Sequence, residues 1–224
     1  MTPATILQGV VGSHAYGLAT PTSDVDVMAV EVFAAREFLG LRTPELTHVS
    51  HGPDCTAHEV SKYVALCLKA NPTVTELLWL DQYTHTTSWG EELVANRSLL
   101  LSQKTVRSAY LGYATAQVEG ALRGKQAARK EKYARHAWRL CHQAKGLWET
   151  GEVRVRLTED EADKAFRFGK HASMDHYTSL LERTRQVFEK DTPLPLVADT
   201  AWADDFVTRV HLATLEVDFS TGRR

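Results

Sequence analysis

The sequence predicts an α+β protein in which a small mixed-sheet head is followed by a mostly helical C-terminal body. Two observations carry this expectation. Over Ile6 to Val11 and over Asp24 to Val30, short runs of apolar residues are bounded by turn formers, which marks strands. From Glu59 onward, apolar residues recur mostly at helical intervals. No linker composition separates the two regions, and 224 residues suffice for a real core in one large or two small domains.

The elements follow in order. A first strand, Ile6 to Val11, runs into a Gly12-Ser13 turn, and Gly17, Pro21, Thr22 and Ser23 form a loop. A second strand begins at Asp24, and a short helix is expected near Ala34 to Leu39. Cys55 to Ala57 reads as a further short strand. Glu59 to Ala70 carries a helical stripe of Val60, Tyr63, Val64, Cys67 and Leu68, ended by Asn71-Pro72. Thr73 to Leu80 starts a second short helix. Helices are then expected over Trp89–Leu101, Lys104–Arg123, Ala127–Glu149, Glu159–Phe168, Met174–Lys190 and Trp202–Leu215, with Ser220 to Arg224 frayed. Trp79, Trp89, Trp138, Trp148 and Trp202 fall in the helical patterns, where burial against a neighbouring helix is the default.

Composition narrows the function classes. A hydrophobic fraction of 43% is ordinary for a globular protein, and a net charge of -2 gives no global signal for nucleic acid. Polynucleotide contact must therefore come from a local patch. Cys55, Cys67 and Cys141 form no CxxC pair, which fits a reducing cytoplasm rather than a disulfide framework or zinc site. No signal peptide or membrane span is expected, because the N-terminus lacks a positively charged start with an apolar h-region and no apolar run approaches about 18 residues.

The chemistry concentrates between Val10 and Val30. Asp24 and Asp26 lie at i and i+2 of a strand, so their carboxylates share one face. Two like charges so close repel unless water or a divalent cation screens them. Mg²⁺ suits such a pair, being held by one or two carboxylates plus substrate phosphates. Upstream, the Gly12-Ser13 turn lets backbone N–H groups and a hydroxyl approach phosphate oxygens. His14 stands beside it, either as a further contact or as a solvated turn residue.

Gly12-Ser13, a spacer of about a dozen residues, then Asp24-Val25-Asp26 resembles the signature of the polymerase beta-like nucleotidyltransferase superfamily. The longer phrase from Gly12 to Asp26 resembles, more narrowly, a group of predicted bacterial and phage nucleotidyltransferases. Further marks are Lys62-Tyr63, Asn71-Pro72-Thr73, Glu76-Leu77-Leu78, and Lys132, His136 and Arg139 ahead of Glu149-Thr150-Gly151. The resemblance implies a catalytic domain over residues 1–85 and a helical domain over 86–224 that completes the nucleotide cleft. It implies two Mg²⁺ ions, with Mn²⁺ as a substitute, an NTP co-substrate, and transfer of NMP to a hydroxyl of RNA such as tRNA, of protein or of a small molecule; the alternative is a non-catalytic nucleotide-binding regulatory module with the same fold.

The resemblance also implies a third acid on a neighbouring strand, to deprotonate the acceptor hydroxyl and help hold metal. Asp54 fits best by its spacing to Lys62 and Tyr63, with Glu59 as the alternative, which can instead cap the following helix. Cations for the triphosphate are expected from Lys132, His136 and Arg139, at i, i+4 and i+7 of one helix face, and from Lys62. His48, His51 and His58 match no metal-ligand spacing. Asn71, Pro72 and Glu76 read first as a capped helix start. Arg154 and Arg156 alternate on an extended segment, facing substrate or water.

Overall fold

The computed structural model describes residues 3–39, 41, 44–52 and 54–220; Thr221 to Arg224, included in the expected frayed end, lie outside the described residues. Strand β1 (Ala4–Val11) leads directly into the short helix α1 (Gly12–Tyr16), and a loop then enters β2 (Asp26–Val32). The two strands pair antiparallel, with Val11 opposite Asp26. A 3-10 turn, Ala35–Glu37, precedes β3 (Thr47–Ser50) and β4 (Asp54–Glu59). β4 runs parallel to β2, Asp54 opposite Asp26, and antiparallel to β3. A two-residue strand β5 (His85–Thr86) closes the other edge, giving the mixed order β3-β4-β2-β1-β5.

This register positions the chemistry. The exit of β1 and the entrances of β2 and β4 fall at one end of the sheet, so the Gly12-Ser13 turn and two acid-bearing strand starts meet there. Behind them Leu7, Met28, Val30 and Val32 are buried.

Nine helices stand among the described residues. Glu59 ends β4 and caps α2 (Val60–Leu68), its carboxylate accepting from Ser61 N at 2.7 Å. Asn71 caps α3 (Pro72–Thr75), accepting from Thr73 N at 3.1 Å with Pro72 at the first helical position. The expected helix over Thr73–Leu80 is this turn followed by a 3-10 turn, Glu76–Trp79. The expected helix over Trp89–Leu101 is α4 (Ser88–Ala95) and a 3-10 turn, Arg97–Leu100. Asn96 marks the break: its side chain donates to Glu92 O at 2.9 Å, offering the backbone an alternative to helix.

Helices α5 (Gln103–Arg123) and α6 (Ala127–Thr150) are joined by three residues and pack along each other; α7 (Glu159–His171), α8 (Met174–Val187) and α9 (Thr200–Ser220) follow. Leu7, Val30, Tyr63 and Leu77 join Tyr110, Leu140, Leu147 and Phe206 in one continuous core. Each such fully buried Leu contributes about 1.5–3 kcal/mol. Trp79 and Trp148 are buried, while Trp89, Trp138 and Trp202 pack half-buried against the same core. The three cysteines are unpaired. Among the described residues no helix is long and apolar enough to cross a membrane.

Candidate active site

A cavity of about 390 Å³ opens between the end of the sheet and α6. Gly12, Ser13 and Asp26 form its floor, and Arg129, Lys132, His136 and Arg139 descend from α6. Of the residues singled out in the sequence, Gly12, Ser13, Asp26, Thr73, Lys132, His136 and Arg139 therefore line one space. Asp24, Asp54 and Lys62 are not on its lining. β2 starts at Asp26 rather than at the expected Asp24, so Asp24 is exposed in the loop ahead of the strand and not at i, i+2 of it with Asp26, and Asp54 is exposed at the start of β4, where its carboxylate lies 3.0 Å from His51 Nδ1. Lys62 is exposed on α2, and its charge adds to burial, the larger cause, in lowering the His58 pKa.

Gly12 makes the floor possible. It adopts φ +69°, and a Cβ there would stand 2.5 Å from Asp26 Oδ2. The turn is braced from within. Gly12 N donates to Glu76 Oε1 at 3.2 Å, and the Tyr16 hydroxyl donates to Glu76 Oε2. His14 Nε2 lies 3.3 Å from Ser23 O, tying the turn to the loop that delivers Asp24. Leu157 N donates to Tyr16 O at 3.1 Å, which fastens the extended segment after α6 to α1.

Glu76 is the residue the sequence undersold. Read as part of a helix start, it is a carboxylate 2% exposed that joins the 3-10 turn, α1 and α6. Burial raises its pKa, opposed by Arg139, Tyr16 and the Gly12 amide. Arg139 Nη1 lies 3.7 Å from Glu76 Oε2 and donates to Gln143 Oε1 at 2.6 Å. The guanidinium stacks 3.8 Å above the Tyr16 ring, and its Nε is buried without a partner among the described residues. An arginine expected to reach phosphate is thus also engaged inside the protein.

His136 lines the cavity as a neutral ring. Burial, then Arg139, Lys132 and Arg135, pushes its pKa down to about 3. Positive charge on this wall comes from Arg129, Lys132 and Arg139, and His136 offers hydrogen bonds only. Tyr113, Gln117 and Tyr133 also line the cavity without any motif to announce them; ordinary helix residues carried no sequence signal. Arg154 and Arg156 border a separate groove of about 810 Å³, with Arg97 and Lys145, and Arg154 pairs with Glu161.

The acids suit a hard divalent cation. Asp26 and Asp54 are register partners on parallel strands, which puts their side chains on one face, and Gly12 leaves the approach to Asp26 Oδ2 open. Among the described residues no three His, Cys, Asp or Glu side chains form a ready-made metal cluster. Two carboxylates completed by substrate phosphate oxygens are the usual setting for Mg²⁺.

A family model described as RlaP, the RNA repair pathway DNA polymerase beta family, matches residues 3–192. The chain belongs to the RlaP family. It is therefore a nucleotidyltransferase of the polymerase beta type, the superfamily its Gly12-to-Asp26 phrase resembles. Polymerase beta-like nucleotidyltransferases generally use a divalent metal and an NTP. Comparison with curated proteins finds no match. RlaP membership covers the whole cavity, since every lining residue falls within the matched span.

Proposed function

We propose that this RlaP-family protein transfers NMP from an NTP to a hydroxyl of RNA, with Mg²⁺ held by Asp24, Asp26 and Asp54. The observation that carries the reading is the meeting of the Gly12-Ser13 turn, Asp26 and three α6 cations in one cavity. Ser13 and the backbone after Gly12 take terminal phosphate oxygens, and Arg129 and Lys132 neutralise the triphosphate. Arg139 adds charge from behind while holding Glu76. When bound, Mg²⁺ supplies charge stabilisation to the reacting phosphate and the leaving pyrophosphate. Asp54, beside Asp26 in register, accepts the proton of the acceptor hydroxyl as it attacks in line. Positioning and charge stabilisation provide most of the rate.

RNA is favoured as acceptor by the description of the family and by the local basic stretch Arg129, Lys130, Lys132 and Arg135 on α6, in a chain with no overall positive charge. The test is transfer of α-phosphate label from each NTP, with Mg²⁺, into RNA and protein, comparing the native chain with Asp24→Ala/Asp26→Ala. Label in an RNase-sensitive product from the native chain alone is the expected result. A protease-sensitive product moves the acceptor to protein, and equal labelling by the double variant refutes the metal-site assignment.

A further inference from the structure

The walls of the cavity differ in chemistry. The floor and the α6 cations seek phosphate, whereas α5 contributes two uncharged residues, Tyr113 and Gln117, one helical turn apart and so on one face. A third group continues that face. A Cβ on Gly120 would meet the Tyr133 ring carbons Cγ and Cδ1 at 3.0 Å, so the Tyr133 ring lies directly on the α5 backbone, one turn beyond Gln117. Tyr113, Gln117 and Gly120 with its overlying Tyr133 thus form a strip of aromatic, carboxamide, aromatic along α5. The Gln117 carboxamide has no hydrogen-bond partner among the described residues, although it lines the cavity and is half-buried.

We infer that this α5 strip is the nucleobase subsite, with Tyr113 and Tyr133 providing apolar ring surface and Gln117 the polar contact to the base edge. The inference rests on the nucleotidyltransferase reading of the same cavity. A base has an uncharged face that stacks on aromatic rings, and its edge presents neighbouring donors and acceptors. A carboxamide supplies one of each. Because no neighbour fixes the Gln117 amide, it turns to suit either order of donor and acceptor. The subsite therefore holds all four bases, with selectivity among them within about tenfold, the scale of one weakly directed hydrogen bond.

The experiment measures Mg²⁺-dependent binding of ATP, GTP, CTP, UTP and inorganic tripolyphosphate to the full chain and to Tyr113→Leu, Gln117→Ala and Lys132→Ala. Tyr113→Leu keeps apolar bulk while removing the ring, and thermal unfolding checks that each variant is folded. Tyr113→Leu is expected to weaken all four NTPs by about tenfold, as loss of one stacking contact does, and to leave tripolyphosphate unchanged. Gln117→Ala is expected to alter the ratios among the four NTPs, again without effect on tripolyphosphate. Lys132→Ala should weaken nucleotides and tripolyphosphate alike. Unchanged NTP affinities and ratios in both α5 variants, with tripolyphosphate still competing against NTP, would overturn the subsite and leave the nucleotide cavity standing. Absence of any Mg²⁺-dependent NTP binding by the native chain overturns both.

Discussion

Gly12 and Asp26 approach so closely that a Cβ at position 12 would stand 2.5 Å from Asp26 Oδ2 and displace that carboxylate, at a backbone φ of +69°. The contact follows from the register that sets Val11 opposite Asp26, since the chain leaving β1 must turn directly over the first residue of β2. The Gly12 turn and the start of β2 are thereby fixed relative to each other by backbone pairing.

Gly12→Ala tests this coupling. The added Cβ must displace the Asp26 carboxylate and hold a strained φ, which costs about 1–3 kcal/mol. Displacement of a reacting group by about 1 Å lowers rate by about a hundredfold. Label-transfer kinetics and urea unfolding together check the expectation: a large loss of transfer with a modest loss of stability. A fully active Gly12→Ala variant would mean that the carboxylate and the turn act independently.

Glu76 and Arg139 form a buried pair, each side chain 2% exposed. Removing one partner strands the other charge, so Glu76→Gln and Arg139→Met should each destabilise by about 3–5 kcal/mol. The double variant should lose clearly less than the sum, because no unpaired charge remains. Denaturant midpoints of the four proteins close this cycle, and additive losses would show the two to be uncoupled.

Legibility in the sequence followed local chemistry. The strands around Gly12 and Asp26, and the long helices α5 and α6, could be read because hydrophobic periodicity and turn residues fix them within a few positions. The 3-10 turn after α3 and the two-residue β5 could not, since their conformation is set by packing on β1 rather than by propensity. The same division holds for the cavity. Lys132, His136 and Arg139 share a face that i+4 and i+7 spacing reveals, but the burial that neutralises His136 and engages Arg139 with Glu76 is tertiary. Tyr113 and Gln117 reach the cavity only because α5 packs on α6.

His136 sets a pH dependence of stability. Its pKa falls from 6.5 to about 3 on folding, so between these values the unfolded chain takes up a proton that the folded chain refuses. Its contribution is full above pH 6.5 and is lost as pH falls toward 3. His136→Gln should flatten that part of the stability profile, measured by unfolding between pH 4 and 7. An unchanged slope would mean that other groups carry it.

Asp54 and Glu59 stand at opposite ends of β4. Five residues place Glu59 about 16 Å along the strand from Asp54, and its register partner is Glu31 rather than Asp26. Burial pushes the Glu59 pKa up, but hydrogen bonds from His211 and Ser61 hold it below 4.5 overall. Its carboxylate therefore contributes stability above pH 4.5, lost as pH falls through the lowered value. It lies 2.8 Å from His211 Nε2, which links β4 and α2 to α9. Glu59→Gln should lower stability at neutral pH while keeping nucleotidyl transfer near the native rate. Asp54→Asn, at an exposed strand start, should leave stability nearly unchanged and reduce transfer by about 10²–10⁴-fold, the range for loss of a general base. Parallel measurement of transfer and unfolding for the two variants decides the assignment, and the opposite pattern would make Glu59 the third acid.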